Sequence, residues 1–138
     1  MLRRDGVAEA LEPQPGIDHL DVLVEQVERA GLPVALDIDG ERVPLPAGLD
    51  LCAYRIVQEG LTNALKHAGP AHARVHVHFA PGSLDVEVSD DGAGSGGLNG
   101  SGHGLIGMRE RVALYGGRLS VGERAGGGFE IRAHLPIA

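Results

Sequence analysis

The feature that most constrains the fold is a run of one-sided strand patterns. Val75, Val77 and Phe79 alternate with Arg74, His76 and His78, and Leu84, Val86 and Val88 alternate with Asp85, Glu87 and Ser89. Pro81-Gly82 stands between the two runs. Side chains in a strand point to opposite faces at period 2, so each run has one apolar and one polar face, and a Pro-Gly turn makes the pair a hairpin. Val34, Leu36 and Ile38 repeat the pattern upstream, and Leu119, Val121, Phe129, Ile131, Ala133 and Leu135 repeat it downstream. A sheet built from such strands needs a cover on one face only.

The cover is supplied by helical repeats. Ile17, Leu20, Leu23, Val24 and Val27 recur at helical spacing until Gly31-Leu32-Pro33 stops them. A longer stripe of Leu49, Ala53, Ile56, Val57, Gly60, Leu61, Ala64, Leu65 and Ala68 ends at Gly69-Pro70, and Leu105, Met108, Val112 and Tyr115 outline a third helix. The element order is αβαββαββ, and the expected fold is an α/β two-layer sandwich: a mixed, mostly antiparallel sheet with helices on one face. Residues 1–16, with Pro13 and Pro15 in EPQPG, read as a tail or linker stub, and 17–138 as a single domain.

Charge and composition narrow the function classes. Lys plus Arg number 12 against 19 Asp plus Glu, and there is no Trp, so the chain lacks both the basic surface and the stacking aromatics of a nucleic-acid binder. A single Cys52 excludes an internal disulfide and a thiolate zinc site. No apolar run approaches a membrane span or a secretory leader, so the expected location is cytoplasmic, with no membrane contact by this domain. Glycine is the outlier at 22 of 138 residues, against a usual ~7%, and it is concentrated between Gly92 and Gly128.

Three groups of residues point to chemistry. Asp90 continues the inward row Leu84, Val86, Val88, where a carboxylate is costly unless it is hydrogen-bonded, for example to a ligand amino group; the plainer reading makes Asp90-Asp91 a turn before Gly92. On the long helix Glu59, Asn63 and His67 form one polar stripe, with Lys66 beside it. Oxygen donors with nearby nitrogens suit a Mg²⁺ polyphosphate, although a solvated helix face also explains such a stripe. The third is the glycine-rich run from Gly92 and Gly94 to Gly102-His103-Gly104-Leu105-Ile106-Gly107, which opens onto a helix near Leu105. Glycines and a helix N-terminus together let backbone N–H groups approach phosphates. A Rossmann reading of this run fails because no strand precedes it, and no Gly-Lys-Ser/Thr is present for a P-loop.

Together the three groups carry a family resemblance. Ala53-Tyr54-Arg55-Ile56-Val57-Gln58-Glu59-Gly60-Leu61-Thr62-Asn63-Ala64-Leu65-Lys66-His67-Ala68 resembles the N box of GHKL (Bergerat-fold) ATPases. Asp90-Asp91-Gly92-Ala93-Gly94 resembles their DxGxG box, and Gly102 to Arg111 the glycine box that follows it. With Gly126-Gly127-Gly128-Phe129, the wording is most similar to NarX/DesK-like two-component sensor histidine kinases. The resemblance implies ATP and Mg²⁺ as ligands. Asn63 would hold the metal, Glu59 would position metal or phosphate, and Lys66 and His67 would reach phosphate oxygens. Asp90 would accept the adenine amino group, with Gly92 and Gly94 passing under the base. Residues 95–103 would form a lid, and Gly102, His103, Gly104, Leu105 and Gly107 would contact the nucleotide, Gly104 to Gly107 through backbone N–H groups.

The implied reaction is transfer of the ATP γ-phosphoryl group to a His on a separate dimerisation domain, for relay to a response regulator. No stretch here resembles the phospho-acceptor motif. Alternatives within the same fold are a freestanding GHKL serine kinase of the anti-sigma-factor type, a hydrolytic GHKL ATPase and a degenerate docking module. Outside the motifs, His76, His78 and His134 on the polar sheet face are read as pairing with Asp85, Glu87 and Arg132 in preference to holding a metal.

Overall fold

The computed structural model describes residues 14–67, 69–92, 102–125 and 127–137, with residues 67 and 102–105 described by backbone only. After a single 3₁₀ turn at Ile17–His19 come α1 (Leu20–Arg29), β1 (Val34–Gly40), α2 (Ala47–His67), β2 (Ala73–Ala80) and β3 (Ser83–Asp90). The chain continues through α3 (Gly102–Leu114), β4 (Arg118–Glu123) and β5 (Phe129–Pro136). The sheet order is β1-β2-β3-β5-β4. Only β1 and β2 run parallel; the other neighbours are antiparallel. The sequence-derived order and two-layer architecture are therefore the observed ones.

Local chemistry sets the boundaries. α1 ends in a Schellman motif: the Leu32 N–H donates to the Val27 carbonyl, the Gly31 N–H to that of Glu28, and Gly31 takes φ +114°. Leu32 then turns into the core, so one glycine both caps the helix and aims the chain at β1. A parallel neighbour cannot be reached by a tight turn, and α2 is the crossover that carries the chain from β1 to β2. Between β2 and β3 a two-residue turn suffices, with Pro81 presetting its own φ and Gly82 at +75°.

The core lies between the helices and the inner sheet face. Ile56, Val57 and Leu61 of α2 meet Val75, Val77, Leu84, Val86, Ile131 and Leu135, all essentially inaccessible. Two apolar assignments differ from the sequence reading. Leu65 is 38% exposed because it lies beyond the edge of the buried arc of α2, and Tyr115 follows the end of α3 with its ring half out of the core.

α2 approaches the sheet closely at Gly60, where an added Cβ would lie 2.7 Å from Val88 Cγ1. At the other end of α2, a Cβ on Gly48 would meet the Tyr115 hydroxyl, and Gly117 lies against the carbonyl of His134, the partner of Asp85 near the start of β3. α2 thus runs in the same sense as β3, and the last turns of α2 and the end of β3 share one end of the sandwich. Val112 packs beside Gly117, and Arg111 is near enough to Cys52 to oppose the rise in thiol pKa that burial causes. The C-terminal half of α3 accordingly sits beside the first half of α2, and its N-terminus points toward the end shared by α2 and β3.

The outer sheet face carries the charges. His134 Nδ1 is 2.7 Å from Asp85, and Arg132 pairs with Glu130 at 3.0 Å and with Glu87 at 3.4 Å. His76 and His78 differ from the sequence reading: their partner is Asp39 of β1. The parallel β1–β2 register aligns Asp37 with His76 and Asp39 with His78, a juxtaposition that alternation within either strand does not reveal. Hydrogen bonds from His78 and then His76 hold the Asp39 carboxyl below the ordinary carboxylate range.

Candidate nucleotide site at the end of the sandwich

Two buried polar side chains mark the end shared by α2 and β3. Asp90 is 6% exposed and Asn63 5%, among otherwise apolar inner-face neighbours. Asn63 lies almost one turn beyond Gly60, the residue that touches Val88, and Asp90 lies two residues beyond Val88 on the same face of β3. The inward reading of Asp90 holds, and the reading of Asp90-Asp91 as a turn does not, because the strand ladder runs through Asp90.

Asp90 is held on all sides. Its Oδ1 accepts the Gly92 N–H at 2.9 Å, its carbonyl accepts Arg124 Nη1 at 3.2 Å, and it pairs with Ala73 on one neighbour strand and Phe129 on the other. Burial raises its carboxyl above the ordinary range; the Gly92 N–H opposes that rise, the Asp91 charge adds to it and Arg124 lowers it slightly. A carboxyl pushed upward by burial, with only one backbone N–H bonded to its oxygens among the described residues, is a candidate ligand-recognising acid.

Asp91, the next residue, points the other way and ties down the strand end. Its carboxylate accepts the His72 N–H at 2.6 Å and its own N–H donates to the His72 carbonyl at 3.1 Å. The first of these bonds keeps its carboxyl below the usual range. Gly128 completes the cradle: at φ +98° it presses against the Asp90 backbone, and a Cβ there would lie 1.9 Å from the Asp90 carbonyl oxygen. Arg124, Asp91 and Gly128 position Asp90; Asp91 lies within the DxGxG-like run, whereas Arg124 stands outside every motif. The Gly126-Gly127-Gly128-Phe129 run is the signal that pointed to one of them.

The remaining predicted residues fall as follows. Glu59 is half-buried one turn before Asn63, and Lys66 is exposed in the last turn of α2. Gly92 is buried beside Asp90. Gly94 and residues 95–101 of the predicted lid lie outside the described residues, as do the side chains of His67, His103 and Leu105. The backbone of Gly102 to Leu105 forms the first turn of α3, so the helix begins three residues earlier than the expected opening near Leu105. Each glycine costs about 1 kcal/mol in a helix, but the ladder extends upstream from the packed Met108 and Val112 and overrides that preference. The first-turn N–H groups, which have no partner within the helix itself, therefore belong to residues 102–105, whereas the N–H of Gly107 falls within the reach of the helical ladder.

Asn63 and Glu59 offer an amide and a carboxylate oxygen, the hard donors that Mg²⁺ takes alongside phosphate oxygens. The donor set fits that ion and not a soft metal, since the chain's one cysteine, Cys52, is buried in the core. None of the described helices is long and apolar enough to cross a membrane.

Comparison with known proteins agrees with this fold. Residues 49–138 match the family described as "Histidine kinase-, DNA gyrase B-, and HSP90-like ATPase". The sensor histidine kinase YxjM of Bacillus subtilis is 38% identical over 128 residues, which are 91% of this chain and 31% of that protein. LnrJ, a sensor histidine kinase of the same organism, is 30% identical over 123 residues, 88% of this chain and 30% of that protein. The chain thus spans about a third of the length of these relatives. Among solved structures, the histidine kinase domain of the Erythrobacter litoralis EL346 blue-light activated kinase superposes with a TM-score of 0.67 at 22% identity, covering 91% of this chain and 64% of that one. The catalytic domain of histidine kinase ThkA gives 0.66 at 16% identity, covering 88% and 94%, so the same fold recurs at low identity. The chain belongs to the family of histidine kinase-, DNA gyrase B- and HSP90-like ATPases, and within it is an ATPase domain of the histidine kinase type.

Proposed function

We propose that this domain binds Mg²⁺-ATP at the shared end of α2 and β3 and presents the γ-phosphoryl group to a histidine on a separate dimerisation domain. The observation that carries this reading is the buried Asp90 carboxylate, fixed beyond Val88 on the side of the sandwich where α2 brings Asn63. Asp90 accepts the adenine amino group, and the neighbouring Gly92 N–H, already donated to Asp90 Oδ1, keeps the carboxylate aimed. Gly94 would continue the backbone under the base.

Asn63, with Glu59 one turn before it, holds the metal end. When bound, Mg²⁺ neutralises phosphate charge as it moves in the transfer. Lys66 and His67, in the last turn of α2, reach the phosphate oxygens. First-turn N–H groups at Gly102, His103, Gly104 and Leu105 add partial positive charge from the start of α3, and Gly107 lies in the turn that follows. In the transfer the bond from the γ-phosphorus to the β,γ-bridging oxygen breaks, a phosphorus–nitrogen bond to the acceptor imidazole forms, and ADP leaves. A response regulator aspartate then takes the phosphoryl group. These residues supply positioning and electrostatics, which make up most of phosphoryl-transfer catalysis.

The names of YxjM and LnrJ support a histidine acceptor over a serine one. The test is to add ATP labelled at the γ-position to this chain together with the dimerisation domain of its own kinase. Label on the acceptor histidine, lost with Asn63→Ala, is expected; label on a serine of a substrate protein would overturn the reading.

A further inference from the structure

We infer that Asp39, His76 and His78 form a binding site for a divalent transition ion of the zinc class on the outer face of the sheet, away from the nucleotide end. Asp39 Oδ2 is 2.9 Å from His76 Nε2, and Asp39 Oδ1 is bonded to His78 Nδ1. One ligand atom from each of the three residues lies within 4.8 Å of the others. A zinc ion about 2.0–2.2 Å from each donor holds its ligand atoms roughly 3.3 Å apart, so small side-chain rotations open the present hydrogen-bonded triangle to accept it. The two rings already converge, with centroids 6.2 Å apart and planes tilted by 44°.

The donor set selects the ion. Two imidazoles and one carboxylate exclude Mg²⁺ and Ca²⁺, which take oxygen, and suit Zn²⁺ and its first-row neighbours. The fourth position has a candidate in Asp37, whose Oδ2 is 4.0 Å from His76 Nε2. In the metal-free protein the two ring nitrogens donate their hydrogens to Asp39, and the ion replaces those shared hydrogens. Partial exposure of all three residues leaves the site open to solvent.

The site has a structural consequence. β1 is a half-buried edge strand whose one sheet neighbour among the described strands is β2. An ion held by Asp39 on β1 and by His76 and His78 on β2 clamps that edge and opposes its fraying. Because it binds the folded register and not the separated strands, it raises stability with its concentration.

The test is a calorimetric titration of Zn²⁺ into the chelator-treated chain, paired with thermal unfolding. One saturable site per chain is expected, with a higher Tm in Zn²⁺ and no competition from excess Mg²⁺. Asp39→Asn, His76→Ala and His78→Ala should each weaken binding at least about tenfold and remove the Tm shift. His134→Ala, which changes the other outer-face histidine in a pair with Asp85, should leave both intact. Since the three side chains lie outside the core, retained ATP binding by the variants checks their fold. No saturable binding, or binding that survives the three substitutions, would overturn the assignment; either result would leave the nucleotide site untouched.

Discussion

At the residue scale the proposed nucleotide site depends on Asp90. A carboxyl raised by burial favours the neutral form in the folded chain, so its contribution to folding is present below the unfolded pKa and is lost as pH rises through the folded one. In the proposed complex nucleotide binding has the opposite sign, because the adenine amino group would donate to the ionised carboxylate. ATP affinity should therefore fall as pH is lowered through the raised Asp90 pKa, and Asp90→Asn should flatten that profile; parallel profiles would exclude Asp90 as the adenine acceptor. Asn63→Ala should remove the Mg²⁺-dependent part of the affinity and leave a Mg²⁺-independent remainder, measured by titration with and without the ion. Asp90 was legible in part: period 2 offered the inner face but left a turn before Gly92 open, and the ladder that runs through Asp90 decides between them. Gly128 was not legible as its neighbour, since only the β3–β5 register brings the two backbones together.

At the scale of the element, α2 does the positioning. Gly60 lets it settle onto Val88, and the branched Val88 side chain has little freedom to turn aside. Gly60→Ala should cost about 1–3 kcal/mol in urea unfolding, overpacking outweighing the gain in helix propensity, and weaken ATP binding by lifting Asn63 from the site. Adding Val88→Ala should return part of the loss, because the two substitutions share one contact and are not additive. Strands and helix faces could be read from periodicity because every element packs one side and wets the other. Pairing partners could not: β1 lies beside β2 only through the α2 crossover, so the meeting of Asp39 with His76 and His78 depends on a register invisible to local pattern. The start of α3 was misplaced by three residues for a related reason. Glycine propensity argues against helix at Gly102 to Gly104, and packing at Met108 and Val112 decides it.

At the scale of the molecule, one face of the sheet is covered and carries the proposed nucleotide end, while the other is wet and charged. The chain spans about a third of its sensor kinase relatives, and it matches their ATPase family over residues 49–138. If the proposed acceptor histidine lies on another domain, the isolated chain should bind ATP and turn it over barely. Sustained ATP hydrolysis by the isolated chain would favour a hydrolytic relative of the same fold. The most direct measurement is a calorimetric titration of ATP into this chain with and without Mg²⁺, beside the same titration of Asp90→Asn. Saturable 1:1 binding that Mg²⁺ strengthens and the substitution weakens at least about tenfold is predicted, the loss of one buried charge-assisted hydrogen bond. Equal affinity in the two proteins would contradict the placement of adenine at Asp90 and with it the site described here.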